Sequence, residues 1–235
     1  MPTVKLMRLL LLCLLIAFTI GAKNCQSETL FKSNFDTTAF NQPPATTQAV
    51  GTASVSGVPG SVLVVQAPPN AAPPAKWLKI FRPNDPSQIS IFRGQLKRQA
   101  GNGMYVFTAT LVIPDGNTGP ASIQFETFNQ QANGGFLHLD FMPDGRVRID
   151  DDPNTLFGTF ARNKPFLVQV TLNINATSPS AHIVLAGAGA SGQADRTIRP
   201  PLRLQAQQFG AIRLFMGFPH LGSFFAQNVV VTRRS

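Results

Sequence analysis

The feature that most constrains the fold is a succession of short apolar runs with a period of two, separated by Gly, Pro, Asn and Asp. In the clearest run, 166–174, apolar side chains occupy every even position and mostly polar ones lie between them. This alternation is typical of a strand with one buried face, whereas an amphipathic helix would repeat every three to four residues. Similar runs recur from Thr29 to Thr232. The sequence therefore predicts an all-β chain.

The hairpin around Pro143-Asp144-Gly145 is the best-defined local unit. Its Pro suits the first position of a type I turn, and its Gly suits the left-handed position that closes a three-residue loop. This loop pairs Asp140 with Arg148 and His138 with Asp150, so opposite charges face each other on one side of the hairpin. The apolar neighbours then share the other side. Turn chemistry and hydrophobic pattern thus predict the same register.

Residues 1–22 are predicted to be a secretory signal peptide. Lys5 and Arg8 form its positive region, and a largely apolar region follows from Leu9 to Ile20. That region is shorter than the roughly 20 residues that a membrane span requires. We expect an exported protein, periplasmic or extracellular, without a transmembrane segment after signal removal. Residues 23–28 would form an N-terminal tail and residues 29–235 a single β-sandwich domain.

Cys25 is the one Cys that would remain after the signal is removed, because Cys13 lies inside the signal. A Cys just after an apolar signal resembles the lipidated first residue of a bacterial lipoprotein, and lipid anchoring at Cys25 is therefore an alternative. Lys23-Asn24 precede it where that class of protein has small residues. We favour a free thiol in the tail.

The positive net charge of the chain results from a small number of acidic residues rather than from a large number of basic ones. The chain carries 20 basic and 11 acidic residues, a formal charge of +9, but only 13% of its residues are charged, against about 25% in an average domain. The basic residues are scattered, without the dense stripe that tracks phosphates. We therefore expect no nucleic-acid partner and only a weak attraction to anionic glycans or envelope surfaces.

Several segments resemble the concanavalin A-like jelly roll, particularly the laminin-G-like domains of exported bacterial proteins. The resemblance lies in the opening 30–36, the hairpin 136–149, the segment 158–160 leading into 166–174, and the closing 224–232. It implies a two-sheet antiparallel sandwich. Members of that family bind or cleave polysaccharides on the concave sheet, or serve as adhesion modules, so the fold alone does not select a function.

A polar face of the predicted sheet holds the candidate site. Glu126 could meet Asp140 across neighbouring strands, with His138 beside them for proton transfer, as a hydrolase or lyase would need. The Glu-x-Asp-x-x-Glu spacing of related glucanases is absent from the chain. With Gln124 and Arg148, the same residues could instead form a polar face without chemistry, which alternating strands produce readily. We favour binding over catalysis for this face.

Aromatic composition bears on sugar binding, because a saccharide platform needs an exposed flat ring. The chain has 19 Phe but one Trp and one Tyr. Phe needs no hydrogen-bond partner, so most of the Phe residues are expected in the core. Tyr105 lies on a core-facing side of its strand. Trp77 is therefore the stronger candidate for an exposed platform that binds ligand, with the 218–220 loop as a second place for an aromatic ring. Structural packing is the favoured alternative for both.

Metal binding has little support in the sequence. The densest acidic cluster offers Asp151 and Asp152 as weak candidates, because Ca²⁺ takes six to eight oxygen ligands, carboxylates among them. The cluster lacks the spaced pattern of a calcium loop. The closing strand carries Gln227-Asn228 where the resembled family often has Asp. We expect no cofactor, with Ca²⁺ as the alternative.

These observations predict an exported, non-catalytic binding or cell-envelope module whose partner is a polysaccharide or envelope glycan. The first alternative is a glycan-active hydrolase or lyase with its site on the concave sheet. The second is a purely structural or adhesive exported protein.

Overall fold

The computed structural model describes residues 27–72, 76–82, 89–127, 135–175, 177–198, 209–216 and 221–234. The predicted signal peptide, Cys25 and the 218–220 loop lie outside these ranges. Within them the chain forms strands and no helix, as the alternating pattern predicts. In the same ranges no helix has the length and apolarity needed to span a bilayer.

Sixteen strands are present in the described ranges, in the chain order β1 (Ser27–Ser33), β2 (Thr52–Ser56), β3 (Val62–Val65), β4 (Trp77–Arg82), β5 (Ile91–Ala100), β6 (Gly103–Val112), β7 (Ala121–Thr127), β8 (Gly135–Phe141), β9 (Val147–Ile149), β10 (Asp152–Phe157), β11 (Thr159–Phe160), β12 (Phe166–Ile174), β13 (Ser180–Gly187), β14 (Ala190–Thr197), β15 (Phe209–Met216) and β16 (Gly222–Arg234). The first strand starts two residues before the predicted domain boundary, so Glu28 belongs to the sheet rather than to the tail.

The strands form two antiparallel sheets. Sheet A has the order β11-β14-β13-β12-β6-β16-β4-β3, with β1 also paired to β16. Sheet B has the order β10-β9-β8-β7-β15-β5-β2. In sheet B the late strand β15 lies between β7 and β5, so residues far apart in the chain become neighbours. The predicted fold class, an all-β two-sheet sandwich, is confirmed.

The core lies between the sheets and is rich in Phe. Phe107 of sheet A meets Phe125 of sheet B edge to face, with ring centroids 5.2 Å apart. Tyr105 and Phe209 make a similar contact at 5.7 Å. Such edge-to-face pairs contribute about 0.5–1.5 kcal/mol beyond the area they bury. The expectation that Phe and Tyr105 fill the core is confirmed.

The hairpin 135–149 has the predicted register. Asp140 pairs with Arg148, and their apolar neighbours pair on the core side. Gly145 has φ 86°, and the amide of Met142 donates to the carbonyl of Arg146 at 2.8 Å, which closes the three-residue loop. The amide of Asp150 donates to the carbonyl of His138 at 2.9 Å, so that predicted pair is also formed.

Two tight turns connect consecutive strands. Asp150 and Asp151 have φ values of 54° and 57° and join β9 to β10. Positive φ at both central residues is what a two-residue I′ hairpin requires, and Asp tolerates it better than most residues. The glycine-rich segment 187–192 contains the second turn, because Gly187 pairs with Ala190 and β14 continues from there.

Trp77 is not exposed. It lies on β4, an interior strand of sheet A between β3 and β16, and only 2% of its surface is accessible. Its backbone pairs with Val65 of β3. Trp77 is therefore packed, as the favoured alternative predicts, and it does not form an exposed platform.

Candidate functional site

The candidate site lies on the outward face of sheet B, the side turned away from sheet A. Strand alternation puts the apolar residues of β7 on the core side and its polar residues on this face. Register then aligns side chains across neighbouring strands. One such row contains Ser54, Arg93, Arg213, Gln124 and His138, contributed by β2, β5, β15, β7 and β8 in that order.

Two further rows flank this one. The row towards the 143–145 turn contains Ile91, Phe215, Ser122, Asp140 and Arg148. The row on the other side contains Thr52, Gln95, Ala211 and Glu126. Because adjacent strands lie about 4.8 Å apart, long side chains in these rows can reach one another.

Asp140 is buried at the centre of a polar network. Its Oδ1 accepts a hydrogen bond from the Ser122 hydroxyl at 2.6 Å, and its Oδ2 accepts one from Nη2 of Arg148 at 2.6 Å. Nε2 of His138 lies 3.1 Å from Oδ1 but is not aligned for a hydrogen bond, so this contact is an ion pair. A buried carboxylate needs such partners to stay charged.

The network shifts both titrating groups towards their charged forms. Burial alone would raise the pKa of Asp140, but His138, Ser122 and Arg148 outweigh burial and hold that pKa well below its ordinary value. Burial alone would lower the pKa of His138, but Asp140 and Asp151 outweigh it and raise that pKa above its ordinary value. The site therefore holds an ionised Asp140 beside a His138 that favours the protonated form.

Asp151 extends this network towards solvent. The left-handed turn at Asp150-Asp151 directs its carboxylate back over β8 and β9, where Oδ1 lies 2.9 Å from Nη2 of Arg148. Its Oδ2 lies 3.4 Å from Nδ1 of His138. Asp150 holds the turn in place, because its Oδ1 accepts a hydrogen bond from the His138 amide at 2.9 Å.

Glu126 forms a second network on the same face. Its Oε2 accepts from Nε of Arg93 at 2.9 Å, and its Oε1 accepts from Nη1 of Arg213 at 3.1 Å. Only 5% of its side chain is exposed. The same Nη1 also lies 3.2 Å from Oε1 of Gln124. One buried carboxylate is thus shared by two guanidinium groups and is linked through Gln124 to the row of His138.

An aromatic ring connects the two networks. The rings of Phe215 and His138 stack, with centroids 5.5 Å apart and an interplanar angle of 26°. The guanidinium of Arg213 lies over the same Phe215 ring at 5.5 Å. Phe215 therefore contacts the guanidinium of Arg213 on its own strand, β15, and the imidazole of His138 on β8, and these contacts limit the side-chain conformations available at the site.

In its present position, the Gln124 side chain occupies the space beside Gly135. A Cβ at Gly135 would lie 2.0 Å from Nε2 of Gln124. The irregular pairing of Glu126 with Gly135, at the start of β8, brings that glycine under the Gln124 side chain. Gly135 is thus a positioning residue for the amide of Gln124.

Most of the predicted site residues come together in this structure. Gln124, Glu126, His138, Asp140 and Arg148 all lie on the outward face of sheet B. Trp77 belongs to sheet A. Asp152 makes only a local turn contact, with its Oδ1 accepting from the Asn154 amide at 2.9 Å.

The sequence reasoning missed Arg93, Arg213, Ser122 and Phe215. One available signal was the isolated Arg213 in the apolar strand 211–216. A partly buried cation requires a carboxylate partner, and the chain has a single Glu within a central strand. That reasoning could have paired Arg213 with Glu126. Arg93 gives no comparable signal, because it lies in a strand with other charged residues.

Three described side chains, His138, Asp140 and Asp151, bring one potential metal-ligand atom each within 4.8 Å of one another. Arg148 already bridges the two carboxylates of this set at 2.6 Å and 2.9 Å. Ca²⁺ needs six to eight oxygen ligands, and the donor set offers two carboxylates that a guanidinium has neutralised. These residues therefore do not fit a calcium ion in this arrangement.

The chain is similar in structure to plant lectins. Lectin II from Ulex europaeus matches with 11% identity and a TM-score of 0.51, over 89% of this chain and 98% of the lectin. Peanut lectin, with a bound 9mer peptide, gives the same four values. The lectin UEA-II complexed with galactose matches with 9% identity and a TM-score of 0.52, over 89% and 99%.

No protein-family model matches the sequence, and no curated protein matches it significantly. At identities this low the structural likeness shows the fold alone. The predicted resemblance to the concanavalin A-like jelly roll is thereby confirmed at the level of fold.

Proposed function

We propose that this protein is a non-catalytic carbohydrate-binding module and that its ligand lies on the outward face of sheet B. The observation that carries the proposal is the pair of polar networks, joined through Phe215, that spans β5, β15, β7, β8 and β9, and in which Glu126 and Asp140 are almost fully buried. A face exposed only by strand alternation would not require buried charges.

The chemistry of this face suits a saccharide. Sugar hydroxyls both donate and accept hydrogen bonds, and Gln124, Arg213 and His138 present planar polar groups in one row. Phe215 adds an apolar ring beside them. Ligand sites typically combine apolar surface with a few convergent polar groups. Because ion pairs already fix these side chains, binding would cost little side-chain ordering.

The same contacts disfavour catalysis. Hydrolysis of a glycoside needs a carboxylic acid whose pKa is raised so that it can donate a proton. The pKa of Asp140 is held low by His138, Ser122 and Arg148, so this carboxyl is a poor proton donor at neutral pH. Glu126 is held between two guanidinium groups. Both candidate carboxyl groups are thus occupied by contacts with basic side chains.

Binding on this face is independent of divalent metal, because Arg148 supplies the positive charge between Asp140 and Asp151. Treatment with EDTA is expected to leave glycan affinity unchanged. Loss of binding on chelation, with recovery on adding Ca²⁺, would contradict this part of the proposal.

The protein acts outside the cytoplasm, in an envelope or extracellular setting. The support for this is the N-terminal pattern, a positive region followed by an apolar one, together with the glycan-directed face. Mass analysis of the mature N-terminus tests it. Cleavage near residue 22 supports export, lipid on Cys25 supports the anchored alternative, and an intact N-terminus contradicts export.

The test of function is a glycan array with wild-type protein and two matched variants. Gln124→Ala removes a central amide of the face, whereas Gln193→Ala removes an exposed amide from β14 of sheet A. We expect a set of bound glycans whose affinity falls about tenfold in the first variant, through loss of hydrogen bonds to ligand and to Arg213. Affinity should not change in the second.

A parallel assay for new reducing ends or unsaturated products separates binding from turnover. No product is expected from any glycan that binds. Product that disappears in Glu126→Gln would establish the enzyme alternative instead. An array without any bound glycan would contradict the carbohydrate-directed function and favour the structural or adhesive one.

A further inference from the structure

One end of the sandwich carries a cluster of basic side chains. At this end β1 and β6 begin, and β5 and β16 end. The first and the last strand lie side by side there, because Ser27 pairs with Arg234. We call this cluster the basic end, and its members are Lys97, Arg98, Arg233 and Arg234.

Among the described residues, a single acidic side chain forms ion pairs with the basic end. Oε1 of Glu28 lies 3.0 Å from Nζ of Lys97, and the same carboxylate pairs with Arg98. Hydrogen bonds from Arg98 and Lys97 lower the pKa of Glu28 to about 2, so this carboxylate is ionised at neutral pH. Four positive charges and one negative charge leave a net charge of +3 at the basic end.

The two cations of β16 are held or exposed without being neutralised by a described acid. Nη2 of Arg233 donates to the carbonyl of Asn102 at 2.9 Å, and its guanidinium lies over the ring of Tyr105, 6.0 Å from the centroid. A carbonyl and a ring fix the position of this cation but leave its charge in place. Arg234 is exposed at the end of the strand.

The opposite end of the sandwich, where β6 ends and β12 begins, carries charges of both signs. Asp144 pairs with Arg146 in the 143–145 turn, and Asp115 lies 3.8 Å from Nε of Arg162. Asp85 is the one acidic residue of the sequence that lies outside the described ranges. The positive excess of the described residues is therefore concentrated at the basic end.

An exposed apolar side chain lies beside the basic end. Met104 pairs with Arg234 across β6 and β16, and 41% of its surface is accessible. Anionic lipids attract Lys and Arg at the membrane surface, and an apolar side chain can enter the boundary between headgroups and acyl chains. Cations spread over the margins of both sheets suit a flat surface, whereas a bound polymer chain would need a groove with converging polar groups.

We propose that the basic end docks on the surface of a bilayer that contains anionic phospholipids. The sequence places Cys25 and the predicted signal peptide directly before Ser27, so membrane attachment through that segment would bring this end of the sandwich to the bilayer. The outward face of sheet B runs along the strands rather than across their ends, and it therefore stays accessible to a glycan. This inference goes beyond the proposed function and concerns a separate surface.

The experiment measures partitioning of the purified protein onto vesicles by co-sedimentation. One set of vesicles contains phosphatidylcholine alone, and the other also contains about 30% phosphatidylglycerol. We expect partitioning about a hundredfold stronger onto the anionic vesicles, since each of the excess charges contributes about fivefold. This preference should fall steeply as salt rises from about 0.05 M to about 0.3 M. Binding through residues 1–26 would be common to all variants, so differences between variants report the basic end.

Matched variants locate the effect. Lys97→Gln combined with Arg234→Gln should weaken partitioning onto anionic vesicles about twentyfold. Lys32→Gln combined with Lys164→Gln removes the same net charge from exposed positions away from the basic end and should change it by less than about twofold. Glu28→Gln removes the acid of the basic end and should strengthen partitioning about fivefold. Thermal unfolding checks that each variant is folded.

The remaining outcomes would overturn the proposal. Equal partitioning onto neutral and anionic vesicles would show that the basic end does not bind anionic lipid. Equal weakening in the two double variants would show a response to net charge alone. Binding to dextran sulfate that depends on Lys97 and Arg234, without binding to vesicles, would replace the bilayer by an anionic polymer. A glycan array without hits would remove the proposed function and leave the vesicle result unaffected.

Discussion

Two His–Asp pairs on opposite sheets show what distinguishes a candidate site from an ordinary polar surface. His182 and Asp195 on sheet A lie 2.8 Å apart, closer than His138 and Asp140 on sheet B at 3.1 Å. Yet 85% of the Asp195 side chain is exposed, against 2% for Asp140. The shorter distance belongs to the pair that water screens more strongly.

The surroundings of the two pairs explain the difference. Asp195 has His182 as its one recorded side-chain partner among the described residues. Asp140 is held by Ser122, Arg148 and His138 together. Strand alternation produces a polar face on both sheets, and on sheet B the described polar groups of these networks are joined across several strands. Connectivity and burial, rather than a short contact, therefore mark the face that could bind a ligand.

The largest expected difference is in stability. Asp140→Asn removes a buried anion from three partners, and breaking a buried ion pair on one side should lower the free energy of unfolding by about 3 kcal/mol. Asp195→Asn should change it by less than about 1 kcal/mol, because the pair is exposed. Urea unfolding measures both. Equal effects of the two substitutions would contradict the contrast between the sheets.

The second expected effect is in the pH dependence of stability. The folded pKa of His138 is raised, so its stabilisation is complete below the ordinary value of 6.5 and is lost as pH rises through the folded pKa. The folded pKa of Asp140 is lowered, so its stabilisation is present above the ordinary value of 3.8 and is lost as pH falls through the folded pKa. The contribution of the pair should therefore be largest between those two ordinary values.

Unfolding free energies measured from about pH 3 to about pH 9 check this window. The wild-type protein should lose stability as pH rises through the folded pKa of His138, and this loss should be smaller in His138→Gln. It should also be smaller in Asp140→Asn, because that substitution removes the main charged partner of His138. A wild-type protein whose free energy of unfolding rises steadily from about pH 6 to about pH 9 would contradict the charge states assigned to His138 and Asp140.

The smallest expected effect is a change in glycan affinity when Gly135, which lies beside Gln124 at the edge of the site, is substituted. Gly135→Ala forces Gln124 to move, because a Cβ there would lie 2.0 Å from its amide nitrogen. Glycan affinity should fall about fivefold, in line with one displaced hydrogen bond. Gly101→Ala is the control, since nothing lies within 4 Å of the added Cβ. Isothermal titration calorimetry measures the glycan affinity of both variants. Equal affinities of Gly135→Ala and Gly101→Ala would show that Gln124 does not contact the ligand.

The sequence predicted those parts of the site that depend on local structure. The turn at 143–145 specified the pairing of Asp140 with Arg148, because turn type and alternation fix the register of a hairpin. The same alternation placed Gln124 and Glu126 on one face of β7. These elements are close in the chain, so a single sequence contains the information needed to align them.

The remaining parts depend on pairings between distant segments. Arg213 reaches Glu126 because β15 enters sheet B between β5 and β7, an arrangement that no local pattern specifies. Trp77 was the stronger candidate for an exposed ring, and it is buried on β4 instead. Strand order therefore decided the missed cation.

The most direct test of the account is NMR chemical-shift mapping with the tightest-binding glycan found on the array. If the ligand lies on the outward face of sheet B, the largest shifts should occur at the side chains of Gln124, His138 and Arg213. His182 and Gln193 on sheet A should stay unchanged. Shifts centred on His182 and Gln193, with the sheet B residues unaffected, would contradict the central claim.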